Sequence, residues 1–168
     1  MQESIFGASP TVADSAFVSK MAYLIGDVTV GEESSIWPFV CLRGDEDDVP
    51  TTVGDECNVQ EFTMLHGATL KDKVSVGHSV VVDYATIEEH SLVGINSAVL
   101  QGATVEANSL VAAGSLVRQD QTVPEGHLAY GVPAETRPLS DAQRAEIELV
   151  HEHYLEYGQE YKQTGRFE

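Results

Sequence analysis

Residues 87–117 read IEEHSLVGINSAVLQGATVEANSLVAAGSLV. An aliphatic residue recurs every six positions, at Ile87, Val93, Val99, Val105, Val111 and Val117. Four residues after each of the first five comes a small one: Ser91, Ser97, Ala103, Ser109 and Ser115. A helix repeats about every 3.6 residues and a half-buried strand alternates, so neither produces this pair of columns. A hexapeptide repeat does. It predicts an all-β fold, a parallel β-helix in which each hexad forms one short flat side and three hexads close one coil. The aliphatic and small residues point inward, and Gly, Asn and Asp take the tight corners where positive φ costs little. A β-sandwich of many short strands is the alternative, but it leaves the regular six-residue period unexplained.

Working outward, the register continues backward through Val82, Val76, Leu65, Val59, Val53, Leu42, Ile36, Val30, Leu24, Val18 and Val12. It is interrupted at Gly44 to Thr52 and around Lys71, which reads as two loops pushed out from corners. After Val117 the pattern fades through Val123-Pro124 and Gly131-Val132-Pro133. Pro138-Leu139-Ser140 then opens a helix, with Ser140 and Gln143 spaced as a capping box. Ile147, Val150, Tyr154, Tyr157 and Tyr161 recur at three and four residues, an apolar to aromatic face expected to lie on the flank of the β-helix. The expected organisation is one domain over 1–168, with the β-helix over about 10–135 and the helix over about 140–163.

Sorting the hexads by side gathers the polar residues. Leu42, Leu65 and Val82 fall on the same side of successive coils, so Arg43, His66 and Asp83 form one column. Val59 and Val76 fall on the preceding side, and two positions after each comes a second column, Glu61 beneath His78. His66 and Asp83 therefore point together, whereas His78 faces another direction. A ligand set of all three becomes natural if an adjacent subunit supplies His78, with β-helix edges meeting around a threefold axis. His90, His127, His151 and His153 read as surface residues.

Composition narrows the partners. The 27 Asp and Glu against 9 Lys and Arg give a formal net charge of −18, which excludes nucleic acid and anionic membrane as partners. The acidic residues are scattered along the chain, the pattern of a surface adapted to high salt, and so of a halophile. Cys41 and Cys57 form neither a disulfide framework nor a CxxC motif, which points to a reducing compartment. The chain opens without a basic region and apolar run, and no apolar stretch approaches spanning length, so a cytoplasmic location is expected.

Several motifs together resemble the gamma-class carbonic anhydrases. They are Ile36-Trp37-Pro38, Leu42-Arg43-Gly44-Asp45, Asn58-Val59-Gln60, Met64-Leu65-His66 and Val76-Gly77-His78, with the Pro133-Ala134 segment and the tyrosine-bearing helix. The resemblance implies a left-handed parallel β-helix of hexapeptide repeats with a C-terminal α-helix, assembled as a homotrimer. It implies a Zn²⁺ or Fe²⁺ at each subunit interface, whose bound hydroxide attacks CO₂ to give bicarbonate. His66 and His78 match the first two metal ligands, His78 coming from the neighbour. Arg43 and Asp45 resemble the pair that ties subunits together, and Gln60 the residue that orients the hydroxide. Tyr154 matches a helix position that reaches the site, and Glu46 and Glu61 are candidates for proton transfer.

At the third ligand position the family has a histidine followed by glycine, and this chain has Asp83 followed by Tyr84. A carboxylate can complete a set with two imidazoles for zinc or Fe(II). It also lowers the Lewis acidity of the metal and reaches less far, so the expected site is weakened, altered in metal or empty. Two alternatives follow: an inactive trimeric scaffold with a degraded metal site, and a hexapeptide-repeat acyltransferase using acetyl-CoA, with His66 as general base.

Overall fold

The computed structural model describes residues 1–46 and 48–165. Short parallel strands wind into a left-handed β-helix of three flat sides, and one helix closes the chain. Side one stacks Gln2–Glu3, Tyr23–Gly26, Cys41–Gly44, Met64–His66, Val81–Asp83, Ala98–Val99 and Leu116–Val117. Side two stacks Thr11–Val12, Val28–Val30, Thr51–Val53, Thr69–Leu70, Thr86–Ile87, Thr104–Val105 and Thr122–Val123. Side three runs from Phe17–Val18 through Ser35–Ile36, Asn58–Val59, Ser75–Val76, Leu92–Val93 and Leu110–Val111 to His127–Tyr130. Glu135–Pro138 adds an antiparallel strand to it.

The core is the set of aliphatic columns that the hexads generate. On side one Leu24, Leu42, Leu65, Val82, Val99 and Val117 are each fully buried. Each buried aliphatic side chain contributes about 1.5–3 kcal/mol, and here each lies on its equivalent in the next coil. The small column is buried too, and its hydroxyls stitch coils together. Ser91 Oγ donates to the Glu106 carbonyl at 3.1 Å and accepts from the Ser109 amide at 3.1 Å, which satisfies the buried group.

The corners match expectation in part: Gly26, Gly67, Gly102, Gly114, Gly126 and Asp120 take positive φ, but other residue types do so too. Positive φ falls on Phe39, Phe62, Ser79, Glu33, Glu56, Lys73 and His90 as well as on Asn96 and Asn108. The left-handed conformation costs about 1–2 kcal/mol at such residues. It is offset by coil-to-coil hydrogen bonds, such as those from the Glu56 amide to Glu32 O and from the His90 amide to Asp72 O, at 2.8 and 3.0 Å.

Of the two expected loops, only one exists. Between Gly44 and Thr51 the chain leaves the coil through an excursion that Glu46 and Val49 bridge, Asp47 lying outside the described residues. Around Lys71 there is no loop. The register shifts because the step from Leu65 to Leu70 is five residues, as is that from Val82 to Ile87, so the corners holding Gly67 and Tyr84 are each one residue short.

Helix α1, Asp141–Thr164, starts with the expected capping box: the Ser140 hydroxyl accepts from the Gln143 amide, and the Gln143 side chain accepts from the Ser140 amide. It lies on side three. Its buried residues are Ile147, His151 and Gly158, and Tyr157 instead stands at the exposed margin. His151, expected at the surface, is a correction: at four-residue spacing from Ile147 it falls on the docked stripe. Gly158 permits the close approach, since a Cβ there would lie 2.9 Å from Ser35 Cβ. Below it Trp37 packs edge-on against Tyr154 and Tyr161 at 5.7 and 5.0 Å. No helix among the described residues is long and apolar enough to cross a membrane.

Candidate functional site

The strand register puts Arg43, His66 and Asp83 side by side on consecutive coils of side one. His66 Nδ1 is 3.0 Å from Asp83 Oδ1. Its Nε2 faces other groups: the Tyr84 hydroxyl at 3.4 Å, Glu46 Oε1 at 3.5 Å and Asp45 Oδ1 at 3.9 Å. Asp45 is itself engaged by Arg43, whose Nε and Nη2 both donate to it at 3.1 Å. That hydrogen-bonded guanidinium holds the Asp45 carboxyl below the usual carboxylate range. Arg43 and Asp45 therefore bind each other within one chain, beside His66.

A second group forms at the corner between sides three and one. Glu61 lies one coil beneath His78, and its Oε2 is 2.8 Å from His78 Nδ1. Glu61, expected as a proton carrier, thus spends an oxygen on the imidazole. Gln60 is buried, and its amide donates to Asn58 Oδ1 at 2.9 Å, while the Asn58 amide donates to Ser75 Oγ at 2.6 Å. This buried relay fixes the orientation of the Gln60 side chain. Tyr154 reaches the same region from the helix, and burial, reinforced by the Glu61 charge, pushes its phenol up. Gln60, His78 and Tyr154 line one end of a cavity of about 440 Å³ between the helix and side three, walled by Leu92, Leu110 and Val150.

The polar residues thus divide into two half-sites, one around His66 and one around His78. Among the described residues, no three His, Cys, Asp or Glu side chains of the chain are arranged to hold a metal ion. Each half-site offers one imidazole whose Nδ1 is engaged by a carboxylate, the arrangement that leaves Nε2 as a metal donor. The donor chemistry, imidazole with carboxylate, fits Zn²⁺ or Fe²⁺ provided that a second copy supplies the second imidazole. Neither cysteine competes as ligand or nucleophile in the half-sites: Cys57 is buried, which pushes its thiol up to about 12, and burial raises Cys41 as well.

Two residues near His66 gain a place that the sequence did not announce. Tyr84 was visible only as the residue after Asp83, and its ring now packs edge-on against His66 at 4.7 Å between centroids. Gly67 provides the space, because a Cβ there would lie 2.8 Å from the Tyr84 ring. The one-residue shortening of both corners was the available signal.

No family model matches the chain. The chain is 40% identical over 162 residues to a carbonic anhydrase of Geobacillus kaustophilus, covering 93% of this chain and 88% of that protein. It is 36% identical to the mitochondrial gamma carbonic anhydrase 2 of Arabidopsis thaliana over 93% of its own length and 60% of that protein. Among solved structures, a Bacillus cereus protein described as a candidate acetyltransferase superposes with a TM-score of 0.92 at 38% identity, covering 98% of both chains.

Proposed function

Because the chain belongs to the gamma carbonic anhydrase family, we propose that it assembles as a homotrimer, binds Zn²⁺ or Fe²⁺ between subunits and hydrates CO₂ reversibly to bicarbonate. The observation that carries this reading is the division of the site into two halves, His66 with its carboxylates on one side and His78 with Glu61 at another corner. Closed threefold packing sets the first half of one subunit against the second half of the next. The bound metal supplies Lewis-acid activation of water.

The protein's own residues do the rest. Asp83 and Glu61 hold the tautomers of His66 and His78. Gln60, locked through Asn58, orients the reacting water, and Tyr154, kept protonated, donates a hydrogen bond into the site. Glu46, with half of its side chain exposed, connects the site to solvent for the outgoing proton. Arg43 and Asp45 brace the subunit contact. The charge of −18 supports a surface adapted to high salt.

The test is CO₂ hydration by metal-loaded protein, purified at high salt and followed by stopped-flow. Activity that disappears in His66→Ala is expected. Stoichiometric metal with hydration at the background rate would leave an inactive metal-binding scaffold instead.

The likeness to the Bacillus cereus protein favours one other reading, acyl transfer from acetyl-CoA, with the Asp83-supported His66 as general base. The acidic surface disfavours the CoA phosphates. Thermal stabilisation by acetyl-CoA in moderate salt would select it.

A further inference from the structure

Adjacent residues Asp83 and Tyr84 face opposite nitrogens of one imidazole. Asp83 Oδ1 is 3.0 Å from His66 Nδ1, and the Tyr84 hydroxyl is 3.4 Å from Nε2. A ring that donates Nδ1–H to a carboxylate keeps the lone pair on Nε2, so a metal on His66 binds on the side away from Asp83. Two carboxylates stand on that Nε2 side, and they are not equivalent. Asp45 has both oxygens taken by Arg43 and lies 3.9 Å away. Among the described residues no guanidinium hydrogen-bonds Glu46, and its Oε1 lies 3.5 Å from Nε2.

That separation is informative. Nitrogen and oxygen ligands at roughly 2.0–2.2 Å from a tetrahedral metal lie roughly 3.4 Å from each other. Glu46 and His66 therefore already keep the spacing of two ligands of one ion, whereas Asp83 addresses the other nitrogen. Glu46 also stands beside the Tyr84 hydroxyl, and its carboxylate is the acceptor for that group's single proton. The short corner between Val82 and Ile87 and the missing side chain at Gly67 bring Tyr84 to this position.

We infer that Glu46, oriented by Tyr84, is the carboxylate ligand beside His66, and that Asp83 is a positioning residue acting through His66 Nδ1. The inference rests on the proposal that a metal is bound between subunits; within that site it moves the carboxylate ligand from Asp83 to Glu46 and replaces the proton-carrying role of Glu46. The Glu46–Val49 bridge anchors Glu46 beside His66.

The experiment uses the full-length protein in its native assembly, loaded with Co²⁺ as a visible probe and titrated with Zn²⁺ in competition. Asp83→Asn retains an acceptor for Nδ1–H, so affinity is expected to fall no more than about tenfold, with the cobalt spectrum unchanged. Glu46→Gln is expected to lower affinity by more than about 100-fold and to alter the cobalt bands, and Glu46→Asp to restore part of the affinity. Tyr84→Phe is expected to cost several-fold with the wild-type spectrum. Circular dichroism and oligomeric state establish that each variant folds. The inference is overturned if Asp83→Asn loses the metal while Glu46→Gln keeps both affinity and spectrum. Absence of metal binding by the wild-type protein would instead end the metal-site proposal itself.

Discussion

Glu61 Oε2 lies 2.8 Å from His78 Nδ1, one coil below it at the same corner. The pair is set by coil stacking alone, since nothing in the local sequence of either residue points to the other. A carboxylate on Nδ1 fixes the tautomer and raises the basicity of Nε2, and losing it typically costs a metal site about 10–100-fold in affinity. Glu61→Ala is therefore expected to weaken Zn²⁺ binding by that factor while leaving oligomeric state unchanged. Competition with a chromophoric chelator measures it. An unchanged affinity would place His78 outside the metal site.

His151 makes helix docking pH-dependent. Burial holds its imidazole below the ordinary value near 6.5, with opposition from Glu56 and Glu148 and reinforcement from His90 and Lys73, and its Nδ1 has no partner. Below about pH 6.5 the unfolded chain takes up a proton that the folded chain refuses, so stability falls with pH until the lower folded value is passed. One proton sets a limit of about 1.4 kcal/mol per pH unit. Urea unfolding at pH 7.5, 6.5 and 5.5 should show this slope in the wild type and a smaller one in His151→Leu. Parallel curves would remove His151 as the cause.

The aliphatic columns were legible because inward positions repeat with a fixed period, and a change at one is felt by its stacked neighbours. Leu65 lies between Leu42 and Val82 and is fully buried. Leu65→Ala is expected to cost about 2–5 kcal/mol, against less than about 0.5 kcal/mol for the exposed Leu149→Ala. Chemical denaturation of the two variants decides it, and similar costs would contradict the stacked core.

What the sequence concealed has a common physical origin. The register identified Arg43, His66 and Asp83 as one column because parallel pairing conserves position. It did not say which imidazole nitrogen a carboxylate would meet, because that depends on side-chain rotation within the corner. The shortened corners looked like a loop near Lys71, since a missing residue and an inserted one both break a six-residue count. His151 reads as surface by its polarity, although its spacing from Ile147 and Gly158 matches the docked stripe.

Salt dependence follows from the charge. A formal net charge of −18 on a chain of 168 residues produces repulsion that unfolding relieves, and nine Lys and Arg are too few to balance it. The screening length shrinks from roughly 30 Å at 0.01 M salt to roughly 3 Å at 1 M, below the spacing of most surface carboxylates. KCl acts mainly by screening, whereas sulfate also strengthens apolar burial, so KCl isolates the electrostatic contribution. The thermal midpoint is expected to rise steeply between 0.05 and about 1 M KCl and to level off once repulsion is screened. Differential scanning calorimetry across that series measures the rise. A flat or falling midpoint would show that the carboxylates are compensated locally, and would remove the high-salt interpretation of the surface.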